Sequence, residues 1–316
     1  MVRGLLASRV VLGAIVVLAV AVLVPFLGLV LPFIAVPYIL GVLTSAYYFG
    51  VFAMSWDLLF GYAGEVNFGP TFLIGLGAYA AALINNILHW PIVFCVVAGA
   101  VAAVAGGLML ALPALRLRGP YFGLVTLVAV LLLQDVIVVF AHWTGGEIGM
   151  TVPDVLSVSA TTNYWIALAF LVVCAALIYG YARSSLGLIL QAAGQDPVEA
   201  AALGFNVAKH KLAAFSVSAL FSGVAGAMLI FYLGSASVDV VVDLSIAVQV
   251  IIAAVLGGRR TILGSVIGAV FLILAGQLLL PLGQLSTFVV ALIALLMILF
   301  FPDGFLGHFL HAGERE

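Results

Sequence analysis

Charge is what this sequence has least of. Only 7% of its 316 residues are Asp, Glu, Lys or Arg and 66% are hydrophobic, against about 25% charged and roughly 45–50% apolar in soluble domains. No water-facing surface can be built from such a chain. Cysteine is nearly absent: Cys95 and Cys174 stand alone inside apolar runs, where a free thiol behaves as a small hydrophobe, so neither a disulfide framework nor a cysteine metal site is indicated. The five histidines, His89, His142, His210, His308 and His311, are dispersed at segment ends without metal-ligand spacing. There is no glycine-rich loop closing on Lys-Ser/Thr to hold a nucleotide, and no cluster of carboxylates or nucleophile with base. The chain therefore offers no catalytic, metal or cofactor site of its own, which argues against a membrane-embedded transferase. Nothing in it suits nucleic acid.

What is present is a succession of long apolar runs, each close to the ~20 residues needed to cross a hydrocarbon core of about 30 Å. Turn residues and charges separate ten of them, near 10–31, 38–60, 71–88, 92–114, 121–141, 164–182, 211–233, 244–257, 262–280 and 285–301. The first exceeds a signal-peptide core and lacks a convincing cleavage site, so it reads as a retained span. The shortest, 244–257, reaches full length only by extending back to Val238. Threading the runs alternately from a cytoplasmic N-terminus puts every basic residue on one side: Arg3, Arg9, Arg116, Arg118, Arg183, Lys209, Lys211, Arg259, Arg260 and Arg315. By the positive-inside rule that side is the cytoplasm, and both termini lie there. The expectation is an all-α integral protein of the cytoplasmic (inner) membrane, one transmembrane domain over 1–316, with an external loop at 142–163 and a cytoplasmic loop at 183–210.

Glycine is abundant, 34 residues, as suits helices whose backbones approach closely. The run Gly61-Tyr-Ala-Gly-Glu-Val-Asn-Phe-Gly-Pro70 is too rich in helix breakers for a lipid-facing helix, so its backbone must be wrapped in protein or line water. Gly61, Tyr62, Gly64, Glu65 and Asn67 are accordingly candidates for a solute path. Asp57, Glu65 and Asp135 are acidic residues in or beside spans, where a charge costs on the order of 2.5–3.5 kcal/mol at the helix centre. Asp57 and Glu65 either meet a path or, lying near the cytoplasmic end of their span, reach headgroups or pair with internal Arg residues. Asp135, beside Gln134, is either a path group or a helix-packing partner.

The cytoplasmic loop carries helix punctuation and is expected to form two short helices. Asp196 is a capping residue, Pro197 suits the first helical position, Glu199 stands where a capping box has its carboxylate, and Gly204 can close the helix with positive φ. A helix of about two turns is marginal alone in water, so its apolar residues Val198, Ala202 and Leu203 call for a partner surface, either the protein itself and headgroups or another cytoplasmic chain.

At this loop the sequence resembles a known family. Glu199-Ala200-Ala201 followed by Gly204 is similar to the coupling segment of ABC-importer permeases. Leu58-Leu-Phe-Gly-Tyr-Ala-Gly64, Gly75-Leu-Gly-Ala-Tyr79, Leu115-Arg-Leu-Arg-Gly-Pro-Tyr-Phe122, Thr144-Gly-Gly146, Ala202-Leu-Gly-Phe-Asn206, Ser222-Gly-Val-Ala-Gly226 and Val255-Leu-Gly-Gly258 resemble, in order, the branched-chain amino-acid permeases of LivM/LivH type. The resemblance covers roughly residues 50 to 305 and is closer to the LivM type. It implies a ten-span permease of the vitamin-B12-importer (type II) kind, paired with a second homologous permease. It further implies two cytoplasmic ATPases that bind ATP and Mg, and an extracytoplasmic solute-binding protein. Asp196 to Gly204 would then couple to an ATPase, and the cargo would be branched-chain or other amino acids, urea or short amides. The chain departs from the common pattern at Glu65 and Pro70, where an uncharged residue and His are more usual; the departure bears on the substrate. The rival reading is a proton-coupled secondary transporter using the intramembrane carboxylates.

The charge pattern generates a topology prediction. Single cysteines introduced between 144 and 161 are expected to react with a membrane-impermeant thiol reagent in intact cells. Those introduced between 185 and 204 should react only after permeabilisation, and the reverse pattern would invert the orientation.

Overall fold

The computed structural model describes residues 37–114 and 120–283, with positions 285, 288, 289 and 292 beyond them. Eight helices among the described residues are long and apolar enough to cross a membrane, and they coincide with eight of the ten expected runs. The runs at 10–31 and 285–301, the basic residues Arg3, Arg9, Arg116, Arg118 and Arg315, and His308 and His311 lie outside the described residues, the second run almost entirely.

The spans are α1 (Pro37–Asp57), α2 (Pro70–Leu88), α3 (Ile92–Ala114) and α4 (Pro120–Val139). A single turn, α5 (Ala141–Thr144), follows. Then come α6 (Ala160–Arg183), the short α7 (Ser185–Gln195) and α8 (Pro197–Ala202), and the 27-residue α9 (Val207–Leu233). The turn α10 (Val238–Val241) precedes α11 (Leu244–Gly257) and α12 (Ile262–Leu279). A two-residue antiparallel ladder joins β1 (Met150–Thr151) to β2 (Ser235–Ala236).

Caps explain where the sequence-based boundaries shift. Ser159 accepts from Thr162 N and starts α6 four residues earlier than expected. Asn206 accepts from Lys209 N, so α9 begins at Val207 and Lys209 sits on the helix instead of in the loop before it. The backbone at Phe140 leaves the helical region, ending α4 at Val139. The short run at 244–257 does reach back to Val238, but as two pieces: Asp243 caps α11 through Ser245 N and separates it from α10.

α1 is the pillar of the bundle. Its span is 78% buried, against 28% for α3, and it packs on α6, α9, α11 and α12. Two of its hydroxyls are satisfied by its own backbone, Thr44 Oγ1 and Ser55 Oγ donating back to the Leu40 and Val51 carbonyls, and Ser218 Oγ of α9 donates to Ser55 O at 2.7 Å, the kind of interhelical polar contact that holds spans together in lipid. A second packing centre brings α2, α3 and α9 together on small residues. A Cβ on Gly77 would collide with the backbone of Gly223, and one on Gly99 with the carbonyl of Gly77. Backbone here meets backbone.

The two ends of the bundle differ in charge. Arg183, Lys209, Lys211, Arg259 and Arg260, all the described basic residues, lie at the end where α1, α6 and α11 finish and α9 begins. At the opposite end the loop after α5 is strapped down: Val152 N and Leu156 N donate to Gly234 and Phe231 carbonyls. Buried Asn85 also donates to Asp154 at 2.8 Å and accepts from Asp154 N.

Replacing Gly223 by Leu overpacks the α2–α3–α9 crossing and is expected to destabilise the protein by about 1–3 kcal/mol or more. Gly180→Ala, where nothing lies within 4 Å of the added Cβ, should be neutral or slightly stabilising. Thermal unfolding in detergent, read side by side for the two variants, tests the packing.

Candidate functional site

The glycine-rich break is built at the basic end. α1 loosens into a wide π turn over Leu58–Tyr62, with Ala63 N donating to Leu58 O and Glu65 N to Leu59 O. Such turns occur mostly as single bulges, often at functional sites. The backbone then runs free of helix to Pro70, and protein wraps it. Trp56 Nε1 donates to Asn67 O at 2.6 Å, Asn67 Oδ1 accepts from Gly69 N, and Phe68 N donates to Thr126 Oγ1 of α4 at 3.0 Å. Buried Asn67 is thus a turn-former at the entry to α2.

The carboxylates flanking the break are engaged within the chain, one by a backbone amide and one by a lysine. Asp57, fully buried, accepts from Arg260 N at 3.1 Å. Arg260 Nε donates to Gly61 O at 2.9 Å, and Tyr62 OH donates to Arg260 O at 3.1 Å. This turn between α11 and α12 holds Arg260 at φ 64, an uncommon conformation for a non-glycine residue. Arg259 stacks its guanidinium over the Phe60 ring at 4.5 Å. Glu65 pairs with Lys211 Nζ at 2.5 Å, on the second turn of α9. Asp57 and Glu65 both find partners within the chain, but not the expected Arg side chains: Asp57 is held by the backbone N–H of Arg260 and Glu65 by Lys211.

The cytoplasmic-loop helices lean on this junction. Gly64 (φ 71) lies so close to α7 that a Cβ would come within 2.8 Å of Gly194 O, and a Cβ on Gly194 would strike Tyr62 O. Leu190 of α7 is buried in one cluster with Leu58, Leu59, Ala63, Phe122 and Phe215. α8 forms as expected: Asp196 Oδ1 accepts from Val198 N at 2.8 Å and Glu199 N at 3.0 Å, Pro197 takes the first helical position, and Gly204 has φ 90. Ala200 faces inward, whereas Val198 and Leu203 are each 75% exposed and Glu199 and Ala201 are exposed with them.

Gly61, Tyr62, Gly64, Glu65 and Asn67 therefore gather in one junction with α7 against it, and Asp196 to Gly204 form the foot beside it. Asp135 is elsewhere, toward the opposite end of α4 and exposed; the helix-packing bond beside it is made by Gln134, whose Nε2 donates to Val242 O. Gly194, Lys211 and Arg260 were missed by sequence reasoning. A glycine inside a capped amphipathic helix was a signal for Gly194; the two cations carried no local sign of their partners. No group of His, Cys, Asp and Glu among the described residues can hold a metal ion.

Residues 38–301 match the model of the family described as the branched-chain amino acid transport system permease component. The chain is similar to the high-affinity branched-chain amino acid transport system permease protein LivM of Salmonella typhimurium and to that of Escherichia coli, 26% identical to each over 290 residues, covering 81% of this chain and 67% of theirs. It is also similar to a probable branched-chain amino acid transport permease protein LivM of Methanocaldococcus jannaschii, at 24% identity over 58% of this chain and 66% of that one. No solved structure matches.

The Glu65–Lys211 pair generates a double-mutant prediction. Glu65→Gln and Lys211→Met are each expected to destabilise the protein, and the double variant by less than their sum, with a coupling on the order of 0.5–3 kcal/mol as for residues in contact. Additive losses in thermal unfolding would mean that the pair does not tie the break to α9.

Proposed function

The chain belongs to the branched-chain amino acid transport system permease family, a multi-pass membrane permease of ABC-type amino-acid importers, and from that premise we propose its place in the machine. It is one of two homologous permeases that line a central path, a ten-span protein of the vitamin-B12-importer kind with both termini in the cytoplasm of an inner membrane. It carries branched-chain amino acids inward. Two ATPases, which bind ATP and Mg, dock on the basic end, and an extracytoplasmic binding protein delivers the solute to the opposite end.

One observation carries this reading. α8 is a capped two-turn helix that turns two aliphatic side chains and a carboxylate away from its own chain, while its partner helix α7 is seated backbone to backbone on the junction at the end of α1. A helix that short gains its order from what it packs on, and the exposed face fits a groove on another protein. Closure of an ATPase would move α7–α8 as a unit. Gly194 against Gly64, and Leu190 in the shared cluster, pass that movement to the end of α1, and the Glu65–Lys211 pair joins it to α9. On this reading Gly61, Tyr62, Gly64, Glu65 and Asn67 transmit motion. Because Asp57 and Glu65 are held by Arg260 and Lys211, a proton relay through them is the weaker alternative.

Reconstitution with the ATPases and binding protein tests it. Glu199→Arg combined with Gly204→Val should leave an assembled complex, since the strained turn at 204 costs about 1–3 kcal/mol, yet strongly reduce substrate-stimulated ATP hydrolysis and uptake together. Unimpaired ATP-driven uptake by that variant, or uptake by this chain without any ATPase, would overturn the importer reading.

A further inference from the structure

The outward face of α4 combines two features that do not belong together on a lipid-facing surface. Val128, Leu132 and Asp135 stand at helical positions i, i+4 and i+7, one stripe of one face, and all three are exposed. Along this stripe runs an open apolar groove of about 300 Å³, lined by Tyr121, Leu124, Val128, Leu132 and, from α3, Leu110. Asp135 stands one turn beyond its end. Among the described residues no hydrogen bond or ion pair reaches the Asp135 carboxylate. The described basic residues are all at the other end of the bundle, and Asp135 lies roughly 20 Å along α4 from Phe122 at 1.5 Å per residue. The bond from Gln134 to Val242 O pins the rotation of α4 at this level, so Asp135 cannot turn inward without breaking it.

A short carboxylate on an exposed helix face, one turn before α4 ends at Val139, is costly in hydrocarbon and by default marks water, a path or a charged partner. The α3 surface, with Val97 and Val101 exposed and no charge along it, has the composition expected of a lipid face.

The geometry points to the α4 face as a wall of the translocation path, with Asp135 receiving the ammonium group of an aliphatic amino acid whose side chain slides along the Val128–Leu132 groove. The inference rests on the importer reading and adds the residue that selects for a cationic head beside an aliphatic tail. The groove opens away from its own bundle, so the facing wall is supplied by the second permease. The charge and the apolar strip match the two ends of the cargo: a carboxylate for the ammonium, and aliphatic surface for a side chain that gains from leaving water.

Two measurements on the complete importer in proteoliposomes test this. In the first, Asp135→Asn is expected to lower leucine uptake on the order of tenfold or more, as for loss of a charge-assisted bond, while binding-protein-stimulated ATP hydrolysis persists; Asp135→Glu should retain most of the uptake. In the second, Val128→Cys, Leu132→Cys and Asp135→Cys should react with a water-soluble thiol reagent and be protected by leucine, whereas Val97→Cys and Val101→Cys stay unreactive. The native cysteines are buried. Normal uptake by Asp135→Asn, or labelling at 128, 132 and 135 no faster than at 97 and 101, overturns the assignment and gives the face to lipid or to dry subunit packing. A wild-type complex without ATP-driven uptake would instead overturn the importer reading itself.

Discussion

A polypeptide that leaves the helix inside an apolar bundle must still find partners for its freed N–H and C=O groups, and the architecture of the basic end follows from that constraint. Between Tyr62 and Pro70 the chain has no helix of its own to satisfy it. The solution recruits distant elements: Arg260 reaches the Gly61 carbonyl, Trp56 the Asn67 carbonyl, Thr126 the Phe68 amide. Each of these bonds also fixes a helix end. The price of an irregular backbone is thus a junction in which the ends of α1 and α11 and the start of α2 are held together, with α4 bonded in, α7 packed against it and α9 joined through Glu65.

Such a junction is a natural place to convert movement outside the membrane into movement within it. Glycines at 64 and 194 let α7 touch the break without an intervening side chain, so displacement is not absorbed by rotamer changes. The opposite end is built differently. There the loop is strapped by the β1–β2 ladder and by Asn85–Asp154, while Ile148 and Val158 project almost fully exposed. One end closes through glycine backbones in contact, the other through a strapped loop.

Packing within the span region relies less on hydrophobic contrast than on close approach, because lipid tails are as apolar as the side chains they would replace. The Gly77–Gly99–Gly223 crossing and the Ser218–Ser55 bond show both available devices, small residues and satisfied hydroxyls. Against that background the carboxylate on the outer face of α4 stands out from Asp57, Glu65 and Asp243, each of which has a basic or amide partner.

Much of this protein was legible from its residues alone. Low charge and apolar runs of spanning length determined a membrane protein, the eight described spans fall where those runs lie, and the described basic residues gather at one end as the topology required. The capped helix at Pro197–Ala202 was readable too, because Asp196, Pro197 and Gly204 act within a few residues of one another. Caps were less legible at α6 and α9, where Ser159 and Asn206 drew polar residues into the helices that hydropathy had assigned to loops. What the tertiary structure alone decided is which distant groups meet. Glu65 and Lys211 are 146 positions apart and Asp57 and Arg260 are 203 apart; residue type says that a buried charge needs a partner, but only packing selects it. The same holds for Asp135. Its spacing with Val128 and Leu132 was in the sequence, but that this stripe points away from the bundle was settled by the contacts α4 makes on its other side.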